Sequence, residues 1–208
     1  MAPPVRSTAS VSDAELIELA RNGDRAAFGD LVERYQHVVF RAALVALRSR
    51  EDAEEVTQEA MVSAYLKLDS FRGEASFKTW LLTITWNRAM DRRRKVGDWF
   101  RRFVTPSREE ASFDPPSGQP SHETALIAEE TRREVRRMLA TLPAKYREAL
   151  LLSASGDHTF DEIGRLLGIP TGTAKWRAME GRRILKKKLV SRGFAGVTPA
   201  MQGAGRET

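Results

Sequence analysis

The chain has 208 residues, of which 41% are hydrophobic and 30% charged, enough for one globular domain or two small ones. Its net charge is +6, which permits a nucleic acid, an acidic membrane surface or an acidic protein as partner. The absence of cysteine excludes disulfides and thiolate metal sites. No apolar run approaches the ~20 residues of a membrane span, and the first ten residues lack a signal-peptide core. We therefore expect cytoplasmic residence and no membrane insertion.

The first half of the chain contains segments of helical periodicity and no strand-like alternation. Residues 1–11 are rich in Pro, Ser, Thr and Ala, which predicts a disordered tail. Ser12 and Asp24 are typical N-caps, and each predicts a helix that begins directly after it. Helical spacing of apolar residues predicts a third helix over 51–68 and a fourth over 77–95.

The third predicted helix carries an acidic face in an otherwise basic protein. Opposite its apolar stripe lie Asp52, Glu55, Gln58 and Glu59. Carboxylates are favoured near a helix N-terminus because they complement the dipole. From this pattern alone, a solvated face and a partner-binding face are equally compatible with the sequence.

The fourth predicted helix ends in a cluster of cations. Arg88 lies one turn before residues 91–95, which read Asp-Arg-Arg-Arg-Lys. A basic helix end can simply complement the dipole, but this number of cations exceeds that need and favours a phosphate-contacting role.

A proline-rich stretch follows, and the composition shift at Gly97 predicts a flexible linker over 97–122. Three aromatic residues alternate with two arginines at its start: Trp99, Phe100, Arg101, Arg102 and Phe103. Such residues can stack on single-stranded bases, but packing of the aromatic rings on the first domain is the favoured interpretation.

A second helical unit is predicted over 123–190, followed by a flexible tail over 191–208. Within it, one helix is predicted over 123–141 and another from Pro143, where proline is tolerated at a helix start. Residues 160–189 then predict a short helix, a tight turn at residues 168–170 and a strongly basic helix.

This layout is that of a helix-turn-helix, whose second helix enters a DNA major groove. Thr159 or Asp161 is expected to cap its first helix, and Thr171 its second.

The basic helix divides by chemistry into base-reading and phosphate-binding residues. Its first amides can hold a phosphate, and Gly172 allows close backbone approach. Lys can donate to guanine, Glu can accept from cytosine, and Met or Trp can contact a thymine methyl. The predicted base-reading residues are Lys175, Trp176, Met179 and Glu180. The predicted phosphate-binding residues are Arg177, Arg182, Arg183, Lys186, Lys187 and Lys188.

No enzymatic chemistry is indicated by the sequence. His37, His122 and His158 are scattered without metal-ligand spacing. The chain has no phosphate-cradling glycine motif and no nucleophile motif. We predict no catalytic residue, no metal site and no cofactor.

Three blocks of the sequence together resemble the extracytoplasmic-function (ECF) sigma factors, small promoter-specificity subunits of bacterial RNA polymerase. Residues 52–60 (DAEEVTQEA) are similar to the family's polymerase-binding helix. Residues 71–87 (FRGEASFKTWLLTITWN) with the following arginines resemble its block for the minus-ten promoter element. Leu142-Pro143 with Arg147, followed by 159–183, resembles its domain for the minus-thirty-five element. The resemblance covers about residues 13–95 and 123–189.

The resemblance implies an all-α fold: a region 2 domain over 12–96 and a region 4 helix-turn-helix domain over 123–190, joined by the linker. It implies core RNA polymerase as a partner, through its beta-prime clamp and beta flap, with Asp52, Glu55, Gln58 and Glu59 on the clamp. The linker would run through the polymerase cleft. The other implied partners are promoter DNA, as duplex and as melted non-template strand, and an anti-sigma protein.

The resemblance also assigns DNA contacts. The melted minus-ten strand would be held by Phe71, Arg72, Gly73, Glu74, Ser76, Trp80, Ile84, Asn87, Arg88, Arg92 and Arg93. The duplex minus-thirty-five element would be bound by Thr159, Thr171, Gly172, Thr173, Lys175, Trp176, Arg177, Met179, Glu180, Arg182 and Arg183. The chain departs from the family at Ala174 and Trp176, where Val and Ser are frequent, and near Glu180, where a cation is frequent.

Two other functions are weighed against this one. A stand-alone helix-turn-helix regulator would leave the acidic helix and the block 80–87 without a role. A DNA-processing enzyme such as a recombinase would need a nucleophile constellation that the sequence lacks.

Overall fold

The computed structural model describes the backbone of residues 11–103 and 133–193, and the side chains of residues 11–95 and 133–193. All regular structure within these ranges is helical, which confirms the all-α prediction. The chain divides into two compact units, Met1–Pro106 and Ser107–Thr208, as the prediction of two helical domains requires. Most of the predicted linker and tails lies outside the described residues.

The first two helices begin at the predicted caps. Helix α1 spans Asp13–Arg21, and Ser12 forms a capping box with Glu15 at its start. Helix α2 spans Arg25–Leu47, and the Asp24 carboxylate accepts hydrogen bonds from the first amides of that helix. A short polar side chain that satisfies unpaired amides thus sets each start.

The next two helices differ at their ends from the sequence prediction. Helix α3 spans Arg50–Leu66, and Leu68 belongs instead to a short 3-10 turn, Leu68–Ser70. Helix α4 spans Phe77–Phe103, so it continues past Gly97 and the predicted helix end at Lys95 is wrong. A single glycine destabilises a helix by only about 1 kcal/mol, which flanking helix formers can offset.

The core of the first unit lies between α2, α3 and α4. Leu31, Val39, Val56, Leu81 and Leu82 are almost completely buried there. The predicted apolar stripe of the third helix is mostly correct. Val56, Ala60, Met61, Ala64 and Leu68 are buried, but Tyr65 is 38% exposed.

The second unit is a small bundle built on the helix-turn-helix. Residues 133–140 are helical (α5), α6 spans Ala144–Ala154, α7 spans Phe160–Leu167 and α8 spans Thr171–Ser191. The part of the predicted helix 123–141 before residue 133 lies outside the described residues. The core is formed by Met138, Leu142, Leu150, Leu185 and Leu189.

Three details at the helix starts sharpen or correct the sequence prediction. Thr159, not Asp161, caps α7, through a capping box with Glu162. Pro143 is the N-cap of α6 rather than its first residue. Thr171 does not cap α8, because Pro170 is the N-cap and Thr171 is already helical. The Thr171 hydroxyl instead donates to Asp161 Oδ1 at 3.2 Å.

Candidate nucleic-acid and partner interfaces

The acidic face of α3 and the basic part of α4 form one ion-pair network. Arg92 Nε donates to Asp52 Oδ1 at 2.8 Å, and Arg92 Nη2 donates to Glu55. Arg92 also lies 3.9 Å from Glu59 Oε1, and Arg88 Nη1 donates to Glu59 Oε2 at 3.0 Å. Residues predicted to bind two different partners are therefore bonded to each other.

The network has an inner ion pair, Asp52 with Arg92, and two outer carboxylates, Glu55 and Glu59. The side chains of Asp52 and Arg92 are only 26% and 27% exposed, whereas Glu55 is 54% and Glu59 43% exposed. The hydrogen bond from Arg92 lowers the pKa of Glu55, and the same bond is the main cause that raises the pKa of Arg92. Asp52 therefore lies beneath the surface that Glu55, Gln58 and Glu59 present.

The exposed face of α3 continues into apolar residues that the sequence analysis missed. Val62 is 60% exposed and Leu66 75% exposed. They follow Glu55 and Glu59 by seven residues, which places them on the same side of the helix. Seven-residue spacing from the acidic residues, applied to the polar side of the helix, would have found them.

The loop between the 3-10 turn and α4 is anchored by aromatic rings. The Phe71 ring lies 5.2 Å from Trp80 and 5.8 Å from Phe77, and Tyr35 lies 5.8 Å from Phe77. These separations are typical of favourable ring pairs. The ring of Phe71, a residue predicted to hold the melted minus-ten strand, thus packs at least partly against its own domain.

The middle of this loop is exposed. Arg72, Gly73 and Glu74 are open to solvent, and Gly73 has a φ of +73°, which favours glycine. At the loop's end, Ser76 Oγ accepts from the Thr79 amide at 3.2 Å and thereby caps α4. The exposed tip could therefore receive a base.

The remaining predicted minus-ten residues lie along α4. Trp80, Ile84 and Arg88 follow at four-residue steps and are partly exposed, and Asn87 is exposed. The Arg93 side chain is partly buried, and its Nη1 donates to the Ala46 carbonyl at 3.4 Å, near the end of α2. Of the four arginines predicted to hold phosphates, Arg88, Arg92 and Arg93 thus have partners on neighbouring helices, and Arg94 pairs with Asp91 of its own helix.

Helix α8 differs from α4 in that most of its predicted DNA-binding residues are exposed. Lys175, Met179 and Arg182 are exposed, and a Cβ added at Gly172 would meet no atom within 4 Å. Thr173 and Arg177 are partly exposed. Most of the predicted reading surface is therefore free of contacts from the described parts of the second unit.

Two of the predicted base-reading residues of α8 are engaged within the unit. Trp176 is 54% exposed, and its ring lies 5.8 Å from Tyr146 of α6 in an edge-on arrangement. Glu180 accepts from Arg183 through both oxygens, at 2.8 and 2.6 Å. These bonds lower the pKa of Glu180, and reading a cytosine with this carboxylate would require the pair to open.

Two glycines that the sequence analysis did not single out allow the helices of the second unit to approach closely. A Cβ at Gly164 would lie 2.8 Å from the Ile169 carbonyl oxygen, and a Cβ at Gly181 would lie 2.8 Å from that of Tyr146. Glycine is costly inside a helix. Its presence in the middle of α7 and of α8 was therefore a signal of close packing.

The described residues provide neither a metal-ligand cluster nor a membrane-spanning helix. Among residues 11–95 and 133–193, no cluster of His, Cys, Asp or Glu side chains could hold a metal ion. No helix in the described ranges is long and apolar enough to cross a membrane.

Two segments match families of one class of protein. Residues 31–99 match sigma-70 region 2, and residues 132–185 match sigma-70 region 4. The two units thus define a sigma factor of RNA polymerase.

Comparison with whole proteins narrows this class. The chain is 31% identical over 176 residues to the ECF RNA polymerase sigma factor SigW of Bacillus subtilis, covering 83% of this chain and 94% of SigW. It is 32% identical over 183 residues to the ECF RNA polymerase sigma-E factor of Escherichia coli K12, covering 86% and 95%. The chain belongs to the ECF sigma factors, which confirms the family resemblance.

Solved structures support the same fold. CnrH in complex with the cytosolic domain of CnrY matches with a TM-score of 0.60 and 24% identity, covering 86% of this chain and 97% of that one. RpoE in complex with the anti-sigma factor NepR from Bartonella quintana matches with a TM-score of 0.61 and 22% identity, covering 78% and 96%.

Proposed function

We propose that this sigma factor docks on core RNA polymerase through the exposed face of α3. The proposed contact residues are Glu55, Gln58, Glu59, Val62 and Leu66. A face that carries carboxylates in its first half and apolar side chains in its second suits a partner surface that is basic at one end and apolar at the other. The beta-prime clamp that the family resemblance implies is the proposed partner surface.

The loop 71–76 and the exposed side of α4 are the proposed site for the opened minus-ten strand. Unstacking a base costs a few kcal/mol, which a fitted pocket and phosphate contacts must offset. The aromatic anchoring of Phe71 and the cap at Ser76 support this role, because they hold the loop before any strand arrives. Trp80, Ile84 and Asn87 would flank the captured strand.

Helix α8 is the proposed reader of the duplex minus-thirty-five element. Lys175 and Met179 are exposed where base edges would lie, and Gly172 leaves the start of the helix open to a phosphate. The lysines at residues 186–188 lie further along the helix and would contribute sequence-independent phosphate binding.

The proposal also covers regulation by an inhibitor and the absence of a catalytic role. The family resemblance supports an anti-sigma protein as an inhibitor of this chain. It also supports a role without catalysis, in which the chain supplies promoter selection in the cytoplasm while the polymerase performs the synthesis. Co-purification of the tagged chain from cells before and after stress would identify the inhibitor.

The observation that carries the docking proposal is the continuous exposed face of α3, and paired substitutions test it. Replacing Glu55 and Gln58 by alanine should weaken binding to core polymerase and lower run-off transcription, without changing duplex DNA binding by the second unit. Glu54→Ala is the matched control, since it removes an exposed carboxylate of α3 that pairs with Arg50 instead.

Two results would contradict the proposal, and a third would show only that the double variant is misfolded. A chain that neither co-elutes with core polymerase nor supports promoter-dependent run-off transcripts is not acting as a sigma factor, and duplex binding without polymerase would favour a stand-alone regulator. Equal loss of polymerase and DNA binding in the double variant would indicate misfolding. An equal effect of Glu54→Ala would remove the assignment to this face.

A further inference from the structure

Arg21, in the last turn of α1, is bonded to the segment that leads into the predicted strand-capturing loop. Its Nε and Nη2 donate to the Leu68 carbonyl at 3.4 and 3.2 Å, and Nη2 also donates to the Phe71 carbonyl. Its Nη1 donates to Glu18 at 2.8 Å. One guanidinium thus joins α1 to the first residue of the 3-10 turn and to the residue that follows the turn, 47 and 50 residues away in sequence.

A basic residue at a helix C-terminus usually serves its own helix. In α1 that role is filled by the backbone, because the Asn22 amide donates to the Glu18 carbonyl at 3.1 Å and the Gly23 amide to the Ala20 carbonyl at 3.1 Å. The Arg21 guanidinium, 26% exposed, donates instead to the Leu68 and Phe71 carbonyls and to the Glu18 carboxylate. Complementing the dipole of α1 does not explain its bonds to the Leu68 and Phe71 carbonyls.

Among the described residues, the loop beyond Phe71 has hydrogen-bond partners at its two ends. Arg21 bonds to the Phe71 carbonyl where the loop begins, and the Ser76 hydroxyl caps α4 where it finishes. Between them, Arg72, Gly73 and Glu74 are exposed. Because Arg21 holds the Phe71 carbonyl at the start of the loop, it sets the direction in which the exposed tip leaves the domain.

We infer that Arg21 is a positioning residue for strand capture, which holds the loop 71–76 in its binding conformation before the opened strand arrives. This inference rests on the proposed role of the loop. Ordering a loop at the moment of binding lowers affinity, and a loop ordered in advance avoids that loss. Arg21 touches no nucleic acid in this role and acts through the Leu68 and Phe71 carbonyls.

The test compares forked and duplex promoter DNA. The full-length chain, assembled with core polymerase, is titrated with a duplex and with a fork whose non-template strand is single-stranded over the minus-ten element. Arg21→Ala should lower affinity for the fork roughly tenfold, as expected for loss of hydrogen bonds from a charged group. Affinity for core polymerase and for the minus-thirty-five duplex should stay at the value of the unsubstituted chain.

Two further variants separate positioning from charge and from folding. Arg25→Ala removes an exposed arginine at the start of α2 and should leave fork affinity unchanged. Arg21→Lys keeps the charge but replaces the planar guanidinium with a single nitrogen. Its affinity for the forked DNA should therefore fall between those of the unsubstituted chain and Arg21→Ala. Because the lysine variant is the milder change, it keeps the test valid if the alanine variant folds poorly.

Distinct outcomes would overturn the inference and the proposed function. Unchanged fork affinity in both Arg21 variants, an equal loss in Arg25→Ala, or a matching loss of polymerase binding would overturn the positioning role. If the unsubstituted holoenzyme itself shows no preference for the fork over the duplex, the proposed function of the loop fails instead.

Discussion

The arginines of α4 in the first unit and the lysines of α8 in the second unit are held in opposite ways. In the first unit, Arg88 and Arg92 are bonded to carboxylates of the neighbouring helix, and Arg93 is bonded to a backbone carbonyl. In the second unit, Lys175, Lys186 and Lys187 are exposed on α8, and none of them is within salt-bridge distance of a carboxylate in the described residues. A cluster of cations in a sequence therefore has two quite different meanings in one protein.

This difference in how the cations are held follows from the interactions that stabilise each unit. The first unit packs three long helices and adds ion pairs between α3 and α4. The second unit brings its helices into close backbone contact through Gly164 and Gly181, and the exposed lysines of α8 remain available to phosphates. Substitutions that reverse either arrangement can test this comparison.

Gly164→Ala should have the largest effect of the substitutions considered. Its Cβ would lie 2.8 Å from the Ile169 carbonyl oxygen and 3.3 Å from the Thr171 amide nitrogen, both backbone atoms of the helix-turn-helix turn. Overpacking of this kind destabilises a protein by about 1–3 kcal/mol. Faster amide hydrogen exchange in α7 and α8, with α2 and α3 unchanged, would show the loss.

Gly172→Ala is the matched control, because a Cβ there meets nothing. It should leave the unit as stable as before or stabilise it by up to about 1 kcal/mol. If the start of α8 also approaches a phosphate, this variant should fold normally and bind DNA less tightly. A Gly164→Ala protein with unaltered exchange would show that close packing does not hold this unit.

Arg92→Ala should have the next largest effect, and in the first unit alone. It leaves the partly buried Asp52 without its 2.8 Å partner and also frees Glu55. We expect a loss of roughly 1–2 kcal/mol, allowing for solvent screening of the pair. Polymerase affinity should fall with it, because the carboxylates of the α3 face are no longer held.

A double-mutant cycle with Asp52→Asn and Arg92→Gln makes this prediction specific. The combined loss of polymerase affinity should be smaller than the sum of the single losses, because both variants break the same bond. Additive losses, or a reduced salt dependence of promoter binding in Arg92→Ala, would indicate that Arg92 contacts phosphate instead.

The helical fold was predictable because its signals are local. Ser12, Asp24 and Thr159 each satisfy amides within three residues of themselves, so a sequence pattern is enough to find them. The end of α4 was missed because a single glycine at residue 97 is a weak signal that a long helix can override. Thr171 was assigned to the wrong position because proline at residue 170 takes the capping place.

The partners of the charged residues could not be predicted in the same way. Asp52 and Arg92 are 40 residues apart, and only the packing of α3 on α4 brings them together. Sequence reasoning therefore placed them on two different interfaces. Seven-residue spacing places Val62 on the acidic face of α3, but its exposure depends on whether a neighbouring helix covers that face, which periodicity does not specify.

Lys187→Ala should have a smaller effect, visible mainly in its salt dependence. Removing one phosphate contact should reduce the salt slope of duplex binding by about one unit, for all sequences alike. Lys175→Ala should instead change which upstream bases are preferred, because Lys175 is placed to reach base edges. Salt titrations against a specific and a scrambled duplex distinguish the two, and identical behaviour would refute the division of α8.

The smallest effect concerns pH and the attachment of α1 to α2. Burial, together with the hydrogen bond that the Tyr35 hydroxyl donates to Asp13, raises the pKa of Tyr35 to about 12. A pKa raised on folding favours the protonated phenol, so the stabilisation is complete below pH ~10 and disappears as pH rises towards 12.

Tyr35→Phe isolates this contribution from the many other groups that titrate at high pH. The parent chain should lose stability relative to the variant between pH 10 and 12, and absorbance of the ionised phenol should show one late transition that the variant lacks. The arginines of α4 and Tyr35 would then serve the same purpose, which is to join the helices of the first unit through internal polar bonds. A parallel loss of stability in both proteins would show that Tyr35 titrates as an ordinary surface phenol, and the contrast between the two units would then rest on the arginines alone.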